Sequence, residues 1–341
     1  MSLIPYLHRV VERHDLEAAE AECAMEAILS GNASTPQIAA FLVALRMKGE
    51  TSGELLGFAR AMRAMANPVV AELHGEPLVD TCGTGGDARG TFNISTLAAF
   101  VVAALGVRVA KHGNRSISSR CGSADVLERL GVKIGLGPEH TARAIREVGI
   151  GFLFAPAFHP AGKYVQPARV ELKLRTVFNL LGPLTNPAGA TVQVVGAPSD
   201  HAAELMAEAF SALGLERGFV VHGSDGLDEI TTTGPTVAFD VSRERVTRLT
   251  LTPADFGVEQ SALEELIGGD PDQNCAIALE ILNGARGPKR DIVLVNASAV
   301  LVAVGKARDF REGMTLGAQS LDSGAALAKV RALAAFTATL G

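Results

Sequence analysis

The spacing of apolar residues divides the chain in two. Up to about residue 70 that spacing is helical only. Leu16, Ala19, Cys23, Ile28 and Leu29 share one face of a helix that Asp15 can cap and Gly31 stops. Thr35-Pro36 reads as an N-cap with proline at the first helical position, and Ile38, Phe41, Leu42 and Leu45 follow at helical spacing as far as Gly49. Thr51-Ser52-Gly53-Glu54 is a capping-box pattern ahead of Leu55, Ala59, Met62 and Ala66, and Asn67-Pro68 breaks that run. Three short helices in a row would leave apolar faces bare, so they should pack on another part of the chain or on a second copy.

From Pro77 the pattern alternates. Strands are predicted over 77–81, 107–110, 151–155, 191–196 and 219–222, and helices over 95–105, 123–130, 138–148 and 200–213. Such alternation implies a largely parallel sheet. It pauses between His159 and Pro187, where 164–174 and 176–181 look helical. Residues 237–240 and 246–251 read as an antiparallel hairpin, 291–295 as one more buried strand, and 324–340 as an Ala-rich structural helix. The expected class is α/β: a small all-helical N-terminal domain plus a large α/β domain with a mostly parallel central sheet.

Composition narrows the function classes. Of 341 residues 48% are hydrophobic, enough for a substantial core, but aromatics are 5% and Trp is absent, so Ala, Val and Leu must fill it. A net charge of −6 argues against a nucleic-acid binder and against an anionic membrane surface. It says little about a small anionic substrate, which responds to local field. Cys23, Cys82, Cys121 and Cys275 are too far apart in sequence for a C-x-x-C ligand pair, and a reduced, cytoplasmic compartment fits them. The first eleven residues lack a signal-peptide core, and no apolar run reaches about 18 residues, so no membrane span is expected.

Four segments carry candidate chemistry. Asp80-Thr81-Cys82-Gly83-Thr84-Gly85-Gly86-Asp87, then Asn93-Ile94-Ser95-Thr96, reads as strand, glycine-rich turn and helix start. Glycines bring bare N–H groups close to a ligand, and a helix start adds unpaired donors, a combination suited to phosphate. Taken alone it could be a helix-capping loop. The run from Lys111 through His112, Gly113, Asn114, Arg115, Ser116, Ile117, Ser118, Ser119, Arg120, Cys121 and Gly122 to Ser123 follows a strand and offers three cations, four hydroxyls and an amide; a solvated loop is the alternative. His222-Gly223-Ser224-Asp225-Gly226-Leu227-Asp228-Glu229 sets two carboxylates side by side, either a charged surface turn or a Mg²⁺ site completed by substrate phosphates. Finally His159, Arg169, Arg175 and Asn179 lie in the helical interruption, where an Arg facing a cleft can clamp a carboxylate or simply sit on a solvated face.

These segments, with Cys121-Gly122-Ser123-Ala124-Asp125-Val126-Leu127-Glu128 and Thr176-Val177-Phe178-Asn179-Leu180-Leu181-Gly182-Pro183-Leu184-Thr185-Asn186-Pro187, occur in the order that marks a known family. The chain resembles the anthranilate phosphoribosyltransferases of tryptophan biosynthesis from its first helices to its C-terminus. The resemblance implies transfer of a phosphoribosyl group from phosphoribosyl pyrophosphate (PRPP) to the anthranilate nitrogen. It implies a helical domain of residues 1–72 with 163–182 inserted, an α/β donor-binding domain of 76–158 and 190–341, and a homodimer formed through the helical domain. Carried over position by position, Gly83, Gly85, Gly86, Asp87, Thr91, Asn93, Ile94, Ser95 and Thr96 would line the donor site. Lys111, His112, Gly113, Asn114, Arg115, Ser116, Ile117, Ser118, Ser119 and Ser123 would close over it. Gly83, Asn114, His112, His159 and Arg169 would contact anthranilate, and Ser95, Asp228 and Glu229 would hold magnesium, two ions per site. The chain departs from the family pattern at Gly162-Lys163-Tyr164 and at Lys173, where Gly is usual. A pyrimidine nucleoside phosphorylase and a non-catalytic nucleic-acid-binding relative are the alternatives within the same fold.

Overall fold

A computed structural model describes residues 2–86, 89–116 and 120–340. Its N-terminal region holds helices α1 (Ile4–Val11), α2 (Ala18–Leu29), α3 (Thr35–Lys48) and α4 (Ser52–Ala64). The apolar spacing gave no helix over 4–11; Pro5 in the first turn starts α1, which buries Val10. α2 is not capped by Asp15. Glu17 and Glu20 form its reciprocal cap, and the Asp15 carboxylate takes the Lys48 ammonium at 2.7 Å. The cap of α3 is Ser34, one residue earlier than Thr35. α4 has the expected box, with the Thr51 N–H donating to Glu54 at 2.9 Å. Glu54 does more than cap: its buried carboxylate also accepts from the Leu16 N–H and from Lys48, each at 3.0 Å, which ties the entry of α2 to α4.

The described residues form one seven-stranded sheet, ordered β3-β2-β1-β4-β5-β6-β7. Its strands are β1 (Leu78–Asp80), β2 (Arg108–Gly113), β3 (Ile150–Phe154), β4 (Val192–Gly196), β5 (Arg217–Gly223), β6 (Thr236–Ser242) and β7 (Val246–Leu251). β1 to β5 run parallel and β6–β7 add the expected antiparallel hairpin. The chain leaves β1 toward β2 and β3, then returns to β4 on the other flank. This reversal opens a crevice at the C-terminal ends of β1 and β4, where ligands bind in such sheets.

One sheet face packs on the helices Ile94–Ala104, Pro288–Ala303 and Ala325–Ala338. The other meets Asp200–Ala212, whose Met206 and Phe210 share a hydrophobic cluster with α1–α4 and with Val165, Phe178 and Leu181. The strand expected over 291–295 is instead the middle of the helix Pro288–Ala303. Ile292 to Leu301 are all buried there, so the continuous apolar run has no periodicity to betray a helix. Pro288 behind Gly287 marks its start. Among the described residues, no helix is long and apolar enough to cross a membrane.

Between β3 and β4 the chain forms a 3₁₀ turn (Pro160–Tyr164) and the helices Gln166–Leu172 and Phe178–Leu184, the last with Pro183 inside it. The helix Gln166–Leu172 ends at Lys173 in the left-handed conformation, φ 50° and ψ 32°. That region favours glycine. Lys173→Gly is therefore expected to stabilise the fold by about 0.5–1 kcal/mol, the relief of the left-handed side chain less glycine's greater unfolded-state entropy. A urea titration reads this; an unchanged or lower midpoint contradicts it.

Candidate active site

Three turns meet at the crevice. The glycine-rich turn leaves β1 and is held by the acidic turn that follows β5. The Gly85 N–H donates to Asp228 Oδ2 at 2.7 Å. Gly85 and Gly86 have φ of 65° and 71°, which glycine adopts freely. At Gly83 a Cβ would lie 2.8 Å from Asp228 Oδ2, and at Gly196, the end of β4, 1.6 Å from the Asp228 carbonyl. The backbones can approach this closely only without side chains. Thr84 N–H bonds the Gly196 carbonyl at 2.9 Å, so β1, β4 and β5 end in one knot. Beside it, the Ser95 N–H in the first turn of the helix Ile94–Ala104 donates to Glu229 Oε1 at 3.2 Å. The adjacent carboxylates thus face N–H donors from two different segments.

Residues that apolar spacing did not single out hold the acidic turn. Asn296, buried in the helix Pro288–Ala303, accepts from the Ile230 N–H and donates to the Ile230 carbonyl, both at 3.0 Å. Asp225 accepts from Thr231 Oγ1 at 2.6 Å, Thr233 Oγ1 at 2.5 Å and the Leu227 N–H at 3.0 Å. A lone amide inside an apolar helix was the available signal for Asn296, since a buried amide needs a partner.

The described residues after β2 make contacts with the protein itself. Lys111 is buried, and its ammonium donates to the Thr81 carbonyl at 3.1 Å. The Asn114 carbonyl accepts from Ser123 Oγ at 3.3 Å, and the Asn114 side chain from the Arg115 N–H at 2.7 Å. Arg115 reaches Asp125 at 2.9 Å and Glu128 at 2.6 Å rather than the crevice. Asn93 Oδ1 accepts from Asn274 at 3.1 Å. Thr96 is buried, and Thr91 pairs with Ile267 in an isolated bridge. Gly113 packs so tightly that a Cβ would meet Ser123 Oγ at 2.2 Å. The Ser116 N–H donates to Asp125 at 3.2 Å. Asp87, Ile117, Ser118 and Ser119 lie outside the described residues.

Opposite, the segment between β3 and β4 carries His159, Arg169 and Arg175. The His159 ring lies 5.3 Å from that of His112, centroid to centroid. His112 Nδ1 bonds the Gly182 carbonyl at 3.1 Å, while Nε2 of both rings is buried without a hydrogen-bond partner among the described residues. Two buried ring nitrogens without partners, on neighbouring rings, suit a polar ligand group. The Arg169 guanidinium stands 5.6 Å over the Phe178 ring, and burial lowers its pKa. Asn179 Oδ1 accepts from the Thr176 N–H at 2.9 Å and so serves the local turn.

Comparison with known proteins fits this geometry. Residues 75–327 match the model of the glycosyl transferase family α/β domain, and 4–66 that of the same family's helical bundle domain. The chain is 69% identical over 339 residues to anthranilate phosphoribosyltransferase of Solibacter usitatus, covering 99% of this chain and 100% of that one. The chain belongs to the anthranilate phosphoribosyltransferase family. Another relative, from Pelotomaculum thermopropionicum, is 53% identical over 98% of this chain and 96% of its own. The crystal structure of the Thermus thermophilus member superposes with a TM-score of 0.92 at 45% identity, covering 99% and 100% of the two chains. The Saccharomyces cerevisiae member, solved in complex with PRPP and Mg, gives 0.89 at 26% identity over 99% and 98%.

Within this family member, Asp80, Cys82 and His112 each bring a possible ligand atom within 4.8 Å of the others. The carboxylate of this cluster is already spent on the protein itself. Asp80 accepts from Asn186 at 2.7 Å and from the His112 N–H at 3.1 Å. Burial drives its carboxyl up to about 6, against the pull of Lys111, Asn186 and that N–H. Burial, and then Asp80, push the Cys82 thiol up to about 12, so it is no nucleophile at neutral pH.

The two histidines predict a pH dependence. Burial, then for His112 its neighbour His159, lowers their pKa to about 3 and about 4 from 6.5. Groups with depressed folded pKa lend stability above their unfolded value and lose it as pH falls. Asp80 runs the other way, gaining stability between about 6 and 3.8 as it protonates. Two groups against one leave a net loss of stability as the pH falls below about 6. Urea midpoints between pH 7 and 4.5 should fall accordingly and flatten in His159→Gln; a midpoint that rises on acidification refutes this.

Proposed function

We propose that the chain transfers the phosphoribosyl group of PRPP to the amino nitrogen of anthranilate, giving N-(5-phosphoribosyl)anthranilate and pyrophosphate in cytoplasmic tryptophan biosynthesis. The observation that carries this reading is the acidic turn itself. Asp228 and Glu229 accept N–H groups from the glycine-rich turn and from the helix start at the sheet's reversal point. Their hard oxygen donors suit magnesium. On this reading Asp228, Glu229 and the Ser95 hydroxyl would hold magnesium, two ions per site, beside a polyphosphate. Bound there, magnesium supplies Lewis-acid neutralisation of the pyrophosphate group, worth several kcal/mol.

The chain's own residues do the rest by position and field. As the glycosidic bond to pyrophosphate breaks, negative charge grows on the leaving oxygen and positive charge on the ribose. With the Gly85 N–H held by Asp228 and the Ser95 N–H by Glu229, the remaining N–H groups of the glycine-rich turn are fixed in advance and need no reorganisation. Arg169 clamps the anthranilate carboxylate. His112 and His159 stay neutral at physiological pH, so they can hydrogen-bond the acceptor without repelling the ribose cation. The anthranilate nitrogen has a free lone pair and needs no strong base. Holding both substrates in line contributes up to about 7–11 kcal/mol.

The domains follow the same reading: 1–72 with 163–182 closes on 76–158 and 190–341, and two copies pair through the helical part. Exposed apolar residues on that part, Val11, Met47, Val170 and Leu174, support the pairing. Light scattering tests it. The activity is tested by loss of anthranilate fluorescence on adding PRPP and magnesium; no loss at any concentration ends the proposal.

A further inference from the structure

Arg175 belongs to the segment that joins the helices Gln166–Leu172 and Phe178–Leu184, yet its guanidinium does not serve that segment. It donates to the Gly85 carbonyl at 2.9 Å and also to the Gly86 carbonyl. Its own carbonyl accepts from Arg46 of α3 at 2.8 Å. One side chain therefore joins the helical part, which carries Arg169, to the glycine-rich turn after β1.

The consequence lies in the peptide planes. Arginine presents a rigid fork of donors, and two neighbouring carbonyls fill it. In a trans peptide the N–H points opposite to the carbonyl. Turning the Gly85 carbonyl toward Arg175 therefore turns the Gly86 N–H away from it. On the other side, Asp228 takes the Gly85 N–H. The turn is gripped from both flanks. Glycines in left-handed conformations would otherwise leave these planes free to rotate, because Gly has the widest choice of φ and ψ.

We propose that Arg175 is a positioning residue that couples the two substrate sites. It fixes the direction of the donor-facing N–H groups from the segment that holds the acceptor clamp. The proposal rests on the reading of that turn as the PRPP site. By linkage, donor binding then tightens acceptor binding by the same factor as the reverse. Arg175 touches neither substrate's reacting atoms.

Arg175→Met and Arg175→Lys in the full chain test this. Loss of two hydrogen bonds to the turn is expected to raise the PRPP KM about ten- to thirtyfold in Arg175→Met. Anthranilate affinity measured without PRPP should stay within about twofold, and its enhancement by PRPP should vanish. Lysine, which can reach one carbonyl, should recover part of the donor KM. Hydrogen exchange of the peptide spanning 82–86 should speed up in Arg175→Met, a readout independent of turnover. If Arg175→Met does not fold, Arg46→Met, which releases the Arg175 carbonyl, should show the same split at smaller size. Unchanged donor KM, an anthranilate affinity without PRPP that weakens as much as the donor's own, or unaltered exchange at the turn overturns the proposal. Wild-type protein that consumes no anthranilate refutes the activity instead, and the exchange measurement still decides the coupling.

Discussion

Asp228→Asn with Glu229→Gln in one chain should abolish magnesium-dependent turnover, a loss of at least about 10³-fold. The amides keep the shape of the carboxylates and remove their charge. An amide oxygen can still accept the Gly85 N–H at Asp228's position and the Ser95 N–H at Glu229's, so the turns stay where they are. What disappears is the hard anionic ligand set that binds a divalent ion beside a polyphosphate. Removing one preorganised electrostatic contact from an active site typically costs about 10²–10³-fold, and here two go at once. Asp225 and Asn296, which hold the acidic turn from behind, remain in place. The loss of anthranilate fluorescence is followed while magnesium is titrated, with circular dichroism checking the fold. Full activity in the double variant would rule both residues out as ligands.

The second large effect belongs to Arg169. Arg169→Ala is expected to raise the anthranilate KM about ten- to a hundredfold while the PRPP KM moves less than about twofold. A bidentate arginine–carboxylate contact is charge-assisted, and such hydrogen bonds contribute about 1.5–3 kcal/mol. Phe178 below the guanidinium limits its orientation. Arg169→Lys should fall between wild type and alanine, because an ammonium keeps the charge but not the fork. Steady-state kinetics with each substrate varied decides the matter. Equal rises for both substrates would remove Arg169 from the acceptor site.

The acidic turn and the glycine-rich turn are legible along the chain because each is a local pattern. A strand, a glycine-rich turn and a helix start can be read within a few residues, as can adjacent carboxylates after a strand. The hairpin β6–β7 and the capping box at Thr51 and Glu54 are equally local. At two places where the expectation differs from the structure, tertiary surroundings decide. The run from Asp291 to Val295 has strand composition, but it lies inside a helix buried all round. Asp15 has the right chemistry for a cap, and Lys48 on another helix claims it.

The order of the motifs carried the resemblance to the family, while residue type and spacing alone settled the class of fold and the places where phosphate and metal chemistry could be housed. These follow from short-range rules of φ, ψ and side-chain period, which operate within a few residues. Tertiary structure decided which donors are spent on the protein itself. Lys111 and Arg115 look alike as cations in one loop, yet one is buried on the Thr81 carbonyl and the other is paired with Asp125 and Glu128. Arg175 reads along the chain only as a possible carboxylate clamp, and Asn296 as a polar interruption in an apolar run, yet they hold two of the turns that form the site. Each of these last two outcomes depends on a partner scores of residues away, and no local pattern encodes which hydrogen bond a side chain will make once strands from opposite flanks are brought side by side.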